Sequence, residues 1–200
     1  MTHPIQRYYN REILMDKIKD HLVSINIAIE IGTWRGDYAE VMCSKLNPNK
    51  FYAIDAYALY EGYDHHPDQH EFANMDNLDV LAAGASERVS KMLPEGRSVL
   101  LREMSCDAVH TFADNSVDVI YIDADHKYET VLADIRAWYP KVKPGGILCG
   151  DDYIEGCNGI PFGVIEAVQD FATENNLKYA VTSGHNPSWV FCKENQNLFF

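Results

Sequence analysis

The 200-residue chain is 46% hydrophobic and 24% charged, enough apolar content to bury one core and too much for a disordered chain. Its 17 Lys and Arg stand against 30 Asp and Glu, a formal net charge of −13, and no basic run breaks that balance. The charge therefore counts against a nucleic-acid partner, and the lack of any stretch of roughly 18 apolar residues counts against a membrane span.

Met1 to Arg11 is polar and aromatic, without the apolar stretch of a signal peptide. Leu14, Ile18 and Leu22 then recur at helical spacing, so residues 1–24 are expected to form an N-terminal helical segment. Ile25 to Ile31 reads as a buried strand ending at Gly32, and Tyr38, Val41, Met42 and Leu46 as a helical stripe stopped near Asn47-Pro48. A second strand, Phe51 to Ile54, ends at Asp55, and a loop rich in Tyr, His and Asp runs from Ala56 to His70. Met75 to Leu93 is a predicted helix closed by Pro94-Glu95-Gly96, and Ser98 to Leu101 a third strand. Val117 to Ile122, apolar and β-branched, suits a central parallel strand. Tyr128, Val131, Leu132, Ile135 and Trp138 keep a helical period before Pro144-Gly145-Gly146 turns the chain into a fifth strand, Ile147 to Gly150. One more helix (Val164, Ile165, Val168, Phe171) precedes Lys178 to Thr182 and Trp189 to Cys192, a hairpin joined by Ser183 to Pro187.

This alternation predicts one α/β domain over residues 1–200. Its fold would be a doubly wound, Rossmann-like, mostly parallel seven-stranded sheet with a C-terminal antiparallel hairpin. Such sheets bind ligands at the carboxyl ends of their strands, where the strand order reverses. The five cysteines (Cys43, Cys106, Cys149, Cys157, Cys192) are odd in number and form no C-x-x-C pair, which fits a reducing, cytoplasmic setting.

Between the first strand and the first stripe helix lies Glu30-Ile31-Gly32-Thr33-Trp34-Arg35-Gly36. Gly32 permits a sharp turn off the strand and Gly36 a close approach of the helix start. Trp34 stands where a dinucleotide fingerprint needs glycine, which disfavours NAD or FAD. The segment could be a structural turn alone, but Asp55 at the end of the second strand is placed to accept hydrogen bonds from ribose hydroxyls.

With those segments, Ala53 to Asp55, Ile122-Asp123-Ala124-Asp125-His126-Lys127-Tyr128 and Lys143 to Tyr153, the chain resembles the class I S-adenosylmethionine-dependent methyltransferases. Within that class it is similar to metal-dependent small-molecule O-methyltransferases of the macrocin, catechol and caffeoyl-CoA types. The resemblance implies that Gly32 and Gly36 line the methionine part of S-adenosylmethionine, with Thr33 of the same turn also at the cofactor. It further implies that Glu30 holds the amino group, that Asp55 binds the ribose, that Ser105 and Cys106 lie beside adenine, and that Asp123 also faces the cofactor.

Asp123 and Asp125 end the fourth strand, and Asp151 and Asp152 the fifth, so adjacent strand ends bring carboxylates together. Their repulsion would be relieved by a divalent cation, and an all-oxygen set suits Mg²⁺. The resemblance assigns Asp123, Asp151 and Asp152 as ligands; Asp125 could instead cap the following helix. The cation would bind and acidify a substrate hydroxyl. His126 occupies the place of the lysine general base of the catechol and caffeoyl-CoA enzymes, and with Asp123 makes up the expected catalytic pair.

His65, His66 and His70, with Asp64 and Asp68, could form a second metal site but read better as a solvated lid. Tyr57, Tyr60 and Tyr63 could stack on an acceptor, while His110 and His185 read as surface or core residues. The loop 154–162 is expected to form the other lip of the crevice. The tail Leu198-Phe199-Phe200 could pack on the domain or on a second subunit of a homodimer. The expected reaction is methyl transfer to a hydroxyl of a small-molecule acceptor. A metal-independent N- or O-methyltransferase, a nucleotide-dependent oxidoreductase and a non-catalytic module are the alternatives.

Overall fold

A computed structural model describes residues 5–6, 10–59 and 75–194. The first helix, α1 (Arg11–His21), starts where the Asn10 side chain accepts the N–H of Ile13. Strand β1 (Ile5–Gln6) precedes it, and β2 (Ile27–Ile31), α2 (Asp37–Leu46) and β3 (Lys50–Ile54) follow. Then come α3 (Met75–Ser90), β4 (Ser98–Leu101), the short α4 (Ser105–Ala108), β5 (Val117–Ile122), α5 (Tyr128–Trp138) and β6 (Val142–Gly150). A two-stranded ribbon, β7 (Gly156–Cys157) and β8 (Ile160–Pro161), leads into α6 (Val164–Glu174), β9 (Ala180–Val181) and β10 (Trp189–Cys192).

The main sheet runs β1-β9-β10-β6-β5-β2-β3-β4. Seven of these strands are the expected ones, and β1 adds a two-residue parallel edge on β9. Strand β10 is antiparallel to both β6 and β9, so the predicted hairpin is present. β2, β3, β4, β5 and β6 pair in parallel.

Alternating side chains of the central strands feed two cores, as a sheet covered on both faces requires. Ile29, Ile31, Ile120, Ile122 and Leu148 face α5 and α6 through Leu132, Ile135, Trp138, Val168 and Phe171. Ala28, Val119, Tyr121, Ile147 and Cys149 face α1 and α2 through Leu14, Met15, Ile18, Tyr38 and Met42.

Several expected boundaries move; the N-terminal segment 1–24 is helical only over Arg11–His21, behind a strand at Ile5–Gln6. The helix predicted to Leu93 ends at Ser90, and Leu93 instead packs in the core just before a single helical turn at Pro94–Gly96. Pro144-Gly145-Gly146 is not a turn ahead of β6 but an irregularity within it: the register with β5 jumps from Val117↔Val142 to Val119↔Ile147. The Gly145 N–H and the Gly146 carbonyl bond the backbone of Lys193 there, which keeps the segment in the sheet. No helix among the described residues is long and apolar enough to cross a membrane.

Candidate active site

β2 lies between β3 and β5, the point at which strand order reverses. Backbone bonds tie the strand tips side by side: Gly32 N–H to the Ile54 carbonyl, Asp123 N–H to Ile31, and Asp151 N–H to Ile122. An ideal Cβ on Gly32 would lie 2.0 Å from the Asp123 carbonyl oxygen, and Gly32 has φ +87°. Only glycine allows β2 to turn that close to β5. Above these tips opens a cavity of about 680 Å³, within the roughly 300–1,000 Å³ of small-molecule sites.

One wall of the cavity is the glycine turn and the end of β3. Gly32, Trp34, Asp55 and Tyr57 line it. Asp55 accepts the N–H groups of Trp34 and Tyr57, one on each carboxylate oxygen, and faces the cavity. Trp34 therefore forms a wall and does not plug the space. Tyr57, read as a stacking side chain, is only 2% exposed; its hydroxyl donates to the Trp34 carbonyl and its ring packs with Leu78 and Ala82. It supports the wall and is spent structurally.

Ser105, Cys106 and Asp123 also line the cavity, while Glu30, Thr33 and Gly36 do not. Gly36 faces α3, where a Cβ would meet the Met92 side chain at 3.3 Å. Glu30 and Thr33 are buried beneath the turn, and burial drives the Glu30 carboxyl well up. Its Oε2 has no hydrogen-bond partner among the described residues.

The acidic end divides differently from the expectation. Asp123, His126 and Asp152 bring donor atoms within 4.8 Å of one another. His126 Nε2 lies 2.7 Å from Asp152 Oδ2, and the imidazole stacks on Phe162 with ring centroids 4.2 Å apart. Asn186 donates to the other oxygen of Asp152. Burial works to lower the His126 pKa, but the contact with Asp152 and the nearby Asp123 outweigh it and raise it. Burial, reinforced by Asp151 and Asp152, likewise raises Asp123.

Asp151 stands outside this group. The chain has left β6 at Gly150 and Asp152 adopts φ +53°, so the two carboxylates diverge. Asp151 is directed to the α1 face, where Arg11 Nη1 pairs with it and the Ser188 hydroxyl donates to it. Arg11 also reaches to 4.0 Å from Asp123 and lies over the Tyr38 ring. Part of the repulsion assigned to a cation is thus offset by Arg11 and His126. Asp125 accepts the N–H groups of His126 and Lys127 and the Thr130 hydroxyl; it braces the start of α5, although the N-cap residue itself is Lys127.

Sequence reasoning missed Arg11, Phe162 and Asp134. Arg11 lies 140 positions from its partner, so no local pattern could signal it. Phe162 closes the β7–β8 lip, held by the bond from the Gly163 N–H to the His126 carbonyl. Asp134 was hidden in the stripe of α5, where an acid among apolar positions was the available signal. His110 and His185 are exposed. Tyr60, Tyr63, Asp64, His65, His66, Asp68 and His70, and the tail 198–200, lie outside the described residues. Cys43, Cys149 and Cys192 are buried, Cys106 is exposed, and none of the five cysteines is in a disulfide.

A doubly wound sheet with one cavity at its switch point, lined by Asp55, Asp123, His126 and Asp152, defines a Rossmann-like fold with its site where such sheets bind ligands. The chain belongs to the methyltransferase domain family, whose model matches residues 29–153. Among solved structures it is similar to the O-methyltransferase NovP, at 17% identity and TM-score 0.64, covering 92% of this chain and 80% of that one. It is similar too to a putative rRNA methylase of Clostridium thermocellum (13% identity, TM-score 0.65, 94% and 98% covered). The O-methyltransferase TomG of Streptomyces achromogenes, solved with SAM, matches at 13% identity and TM-score 0.57, with 91% and 77% covered. These likenesses are of fold. Curated relatives match only in part: an uncharacterized protein of Acanthamoeba polyphaga mimivirus is 41% identical over 39 residues, 20% of this chain and 18% of its own length. Another, from Sinorhizobium fredii, is 36% identical over 55 residues, 28% of this chain and 6% of its own length.

Proposed function

We propose that the chain transfers a methyl group from S-adenosylmethionine to a hydroxyl of a small molecule, with a divalent cation at Asp123, His126 and Asp152. The observation that carries this reading is a single cavity with Asp55 on one wall and the His126–Asp152 pair, beside Asp123, on another. The O-methyltransferases among the fold neighbours support the reaction class. When bound, S-adenosylmethionine supplies an electrophilic methyl group on a sulfonium. Asp55 accepts the ribose hydroxyls, and Gly32 lets the methionine portion pass close to the backbone. At the far wall a carboxylate oxygen of the cluster would take the proton of the acceptor hydroxyl, and the hydroxyl oxygen would accept the methyl group in line as the methyl carbon's bond to sulfur breaks. Holding the two reactants in that line supplies much of the acceleration.

Three donors on one side of an open cavity fit a cation, which would act as a Lewis acid on the hydroxyl. A nitrogen with two carboxylates suits Mn²⁺ or Zn²⁺ better than the all-oxygen set first expected for Mg²⁺. Arg11 and the His126–Asp152 contact favour a second reading, in which Arg11 supplies the counter-charge and a neutral His126, oriented by Asp152, is a metal-free base.

Thermal unfolding with S-adenosylhomocysteine, alone and with Mn²⁺ or Mg²⁺, tests the reading. A ligand at about a hundredfold over its Kd stabilises by roughly 2.7 kcal/mol, a readily measured rise in Tm. A further rise with cation, absent in Asp152→Asn, is expected. No response to S-adenosylhomocysteine would sink the methyltransferase reading, and activity that survives EDTA would select the metal-free one.

A further inference from the structure

Asp134 is 7% exposed on α5, lines the cavity, and has no part in the chemistry at Asp123, His126 and Asp152. It lies six residues beyond Tyr128, about 9 Å along the helix axis from the end that carries His126. Its Oδ1 accepts the Ser105 hydroxyl at 2.6 Å, and Ser105 Oγ accepts the indole N–H of Trp138 at 2.8 Å. An indole nitrogen can only donate, so the direction of this relay is fixed. The one proton of Ser105 goes to Asp134 and is not available to a ligand. What this part of the cavity offers is therefore an acceptor, the carboxylate of Asp134.

Among the described residues that carboxylate has no ion-pair partner. The charge acting on it is that of Asp125, of like sign, and burial raises its pKa. A buried acid with one protein hydrogen bond keeps lone pairs that call for a donor. Met104, Ala133 and Ile54 line the same cavity and provide apolar surface for a planar ring.

We infer that Asp134 reads the base of the cofactor by accepting a hydrogen bond from the exocyclic amine of adenine, while Trp138 and Ser105 hold its carboxylate in place. The inference rests on the S-adenosylmethionine reading above and adds a specificity determinant to it. Of that cofactor's two N–H donors, the ammonium belongs to the methionine portion, placed at Gly32. The uncharged amine on a flat ring suits a lone carboxylate in an apolar slot. A base with a carbonyl in place of the amine would set oxygen against oxygen there.

Titration calorimetry with S-adenosylhomocysteine and S-inosylhomocysteine, which differ only in amine against carbonyl, tests it. The wild-type chain should bind the adenine compound roughly ten- to a hundredfold tighter, the scale of one hydrogen bond to a charged group. Asp134→Asn, whose amide oxygen is held by the Ser105 hydroxyl so that its N–H turns to the ligand, should bring the ratio to one or invert it. A chain that merely needs Asp134 for structure would lose affinity for both compounds and keep the ratio. Equal binding of the two by the wild type, or an unchanged ratio in Asp134→Asn, overturns the inference alone. Binding of neither by a folded wild-type chain overturns the cofactor reading and the inference with it. If the variant does not fold, the wild-type ratio decides.

Discussion

Arg11, the first residue of α1, pairs through Nη1 with Oδ2 of Asp151 at 2.5 Å, across 140 positions of sequence. The pair joins the N-terminal helix to the tip of β6 and takes one carboxylate out of the acidic cluster. Tyr38 reinforces it from below, donating its hydroxyl to the Arg11 carbonyl. Ser188 and Tyr121 continue the network on the other side of Asp151.

Breaking this pair from one side should cost more than removing both partners. Asp151 is 4% exposed, so Arg11→Ala strands a buried charge. The arginine itself is partly solvated, which moderates the cost to about 1–3 kcal/mol. Arg11→Ala combined with Asp151→Asn should recover part of that loss. Urea unfolding of the two single variants and the double one gives the coupling directly; additive losses would mean that the pair contributes nothing.

Two glycines of one turn should respond unequally to alanine. Gly32→Ala drives a Cβ into the Asp123 backbone and should remove both S-adenosylhomocysteine binding and more than about 2 kcal/mol of stability. Gly36→Ala meets only the flexible end of Met92 and carries the left-handed φ alone, about 1 kcal/mol. Melting curves of the two variants, with and without ligand, check the order.

Asp134 should place function and stability in opposition. Burial pushes its carboxyl up to about 6, against 3.8 for the free group. Between those values the folded chain holds a proton that the unfolded chain has released, so this residue's contribution to stability falls as pH rises through the window and is level above it. The deficit near neutral pH is about 3 kcal/mol at the usual conversion. The like-charged Asp125 adds to the shift and the Ser105 hydroxyl opposes it. Asp134→Asn should therefore stabilise the ligand-free chain at pH 8 and do so less at pH 4.5, as read from unfolding midpoints. A pH-independent difference would refute the assignment.

His126→Ala should separate chemistry from cofactor binding. The imidazole sits against Asp152 and away from the Asp55 wall, so S-adenosylhomocysteine affinity should change less than about threefold while kcat falls by roughly a hundredfold or more. Methyl-transfer rates and calorimetry on the same preparation give both numbers; unchanged kcat would remove His126 from the reaction.

Order along the chain was enough to specify the architecture. Strands with two-residue alternation or continuous β-branched runs, separated by stripes of helical period, can bury their faces only as a sheet covered on both sides, and the Ser183 to Pro187 link can close only as a hairpin. The turn at Gly32 and the acid at Asp55 were legible for the same local reason: each terminates a recognisable strand. Partners distant in sequence were not. Whether Asp151 joins Asp152 or turns to Arg11 depends on how the backbone turns as it leaves β6 and on what α1 packs there, and the direction of the Ser105 proton depends on Trp138 arriving from another helix. Hydrogen-bond geometry and burial are properties of the assembled core, so the roles of Arg11, Asp134 and Phe162 were settled only when the elements came together.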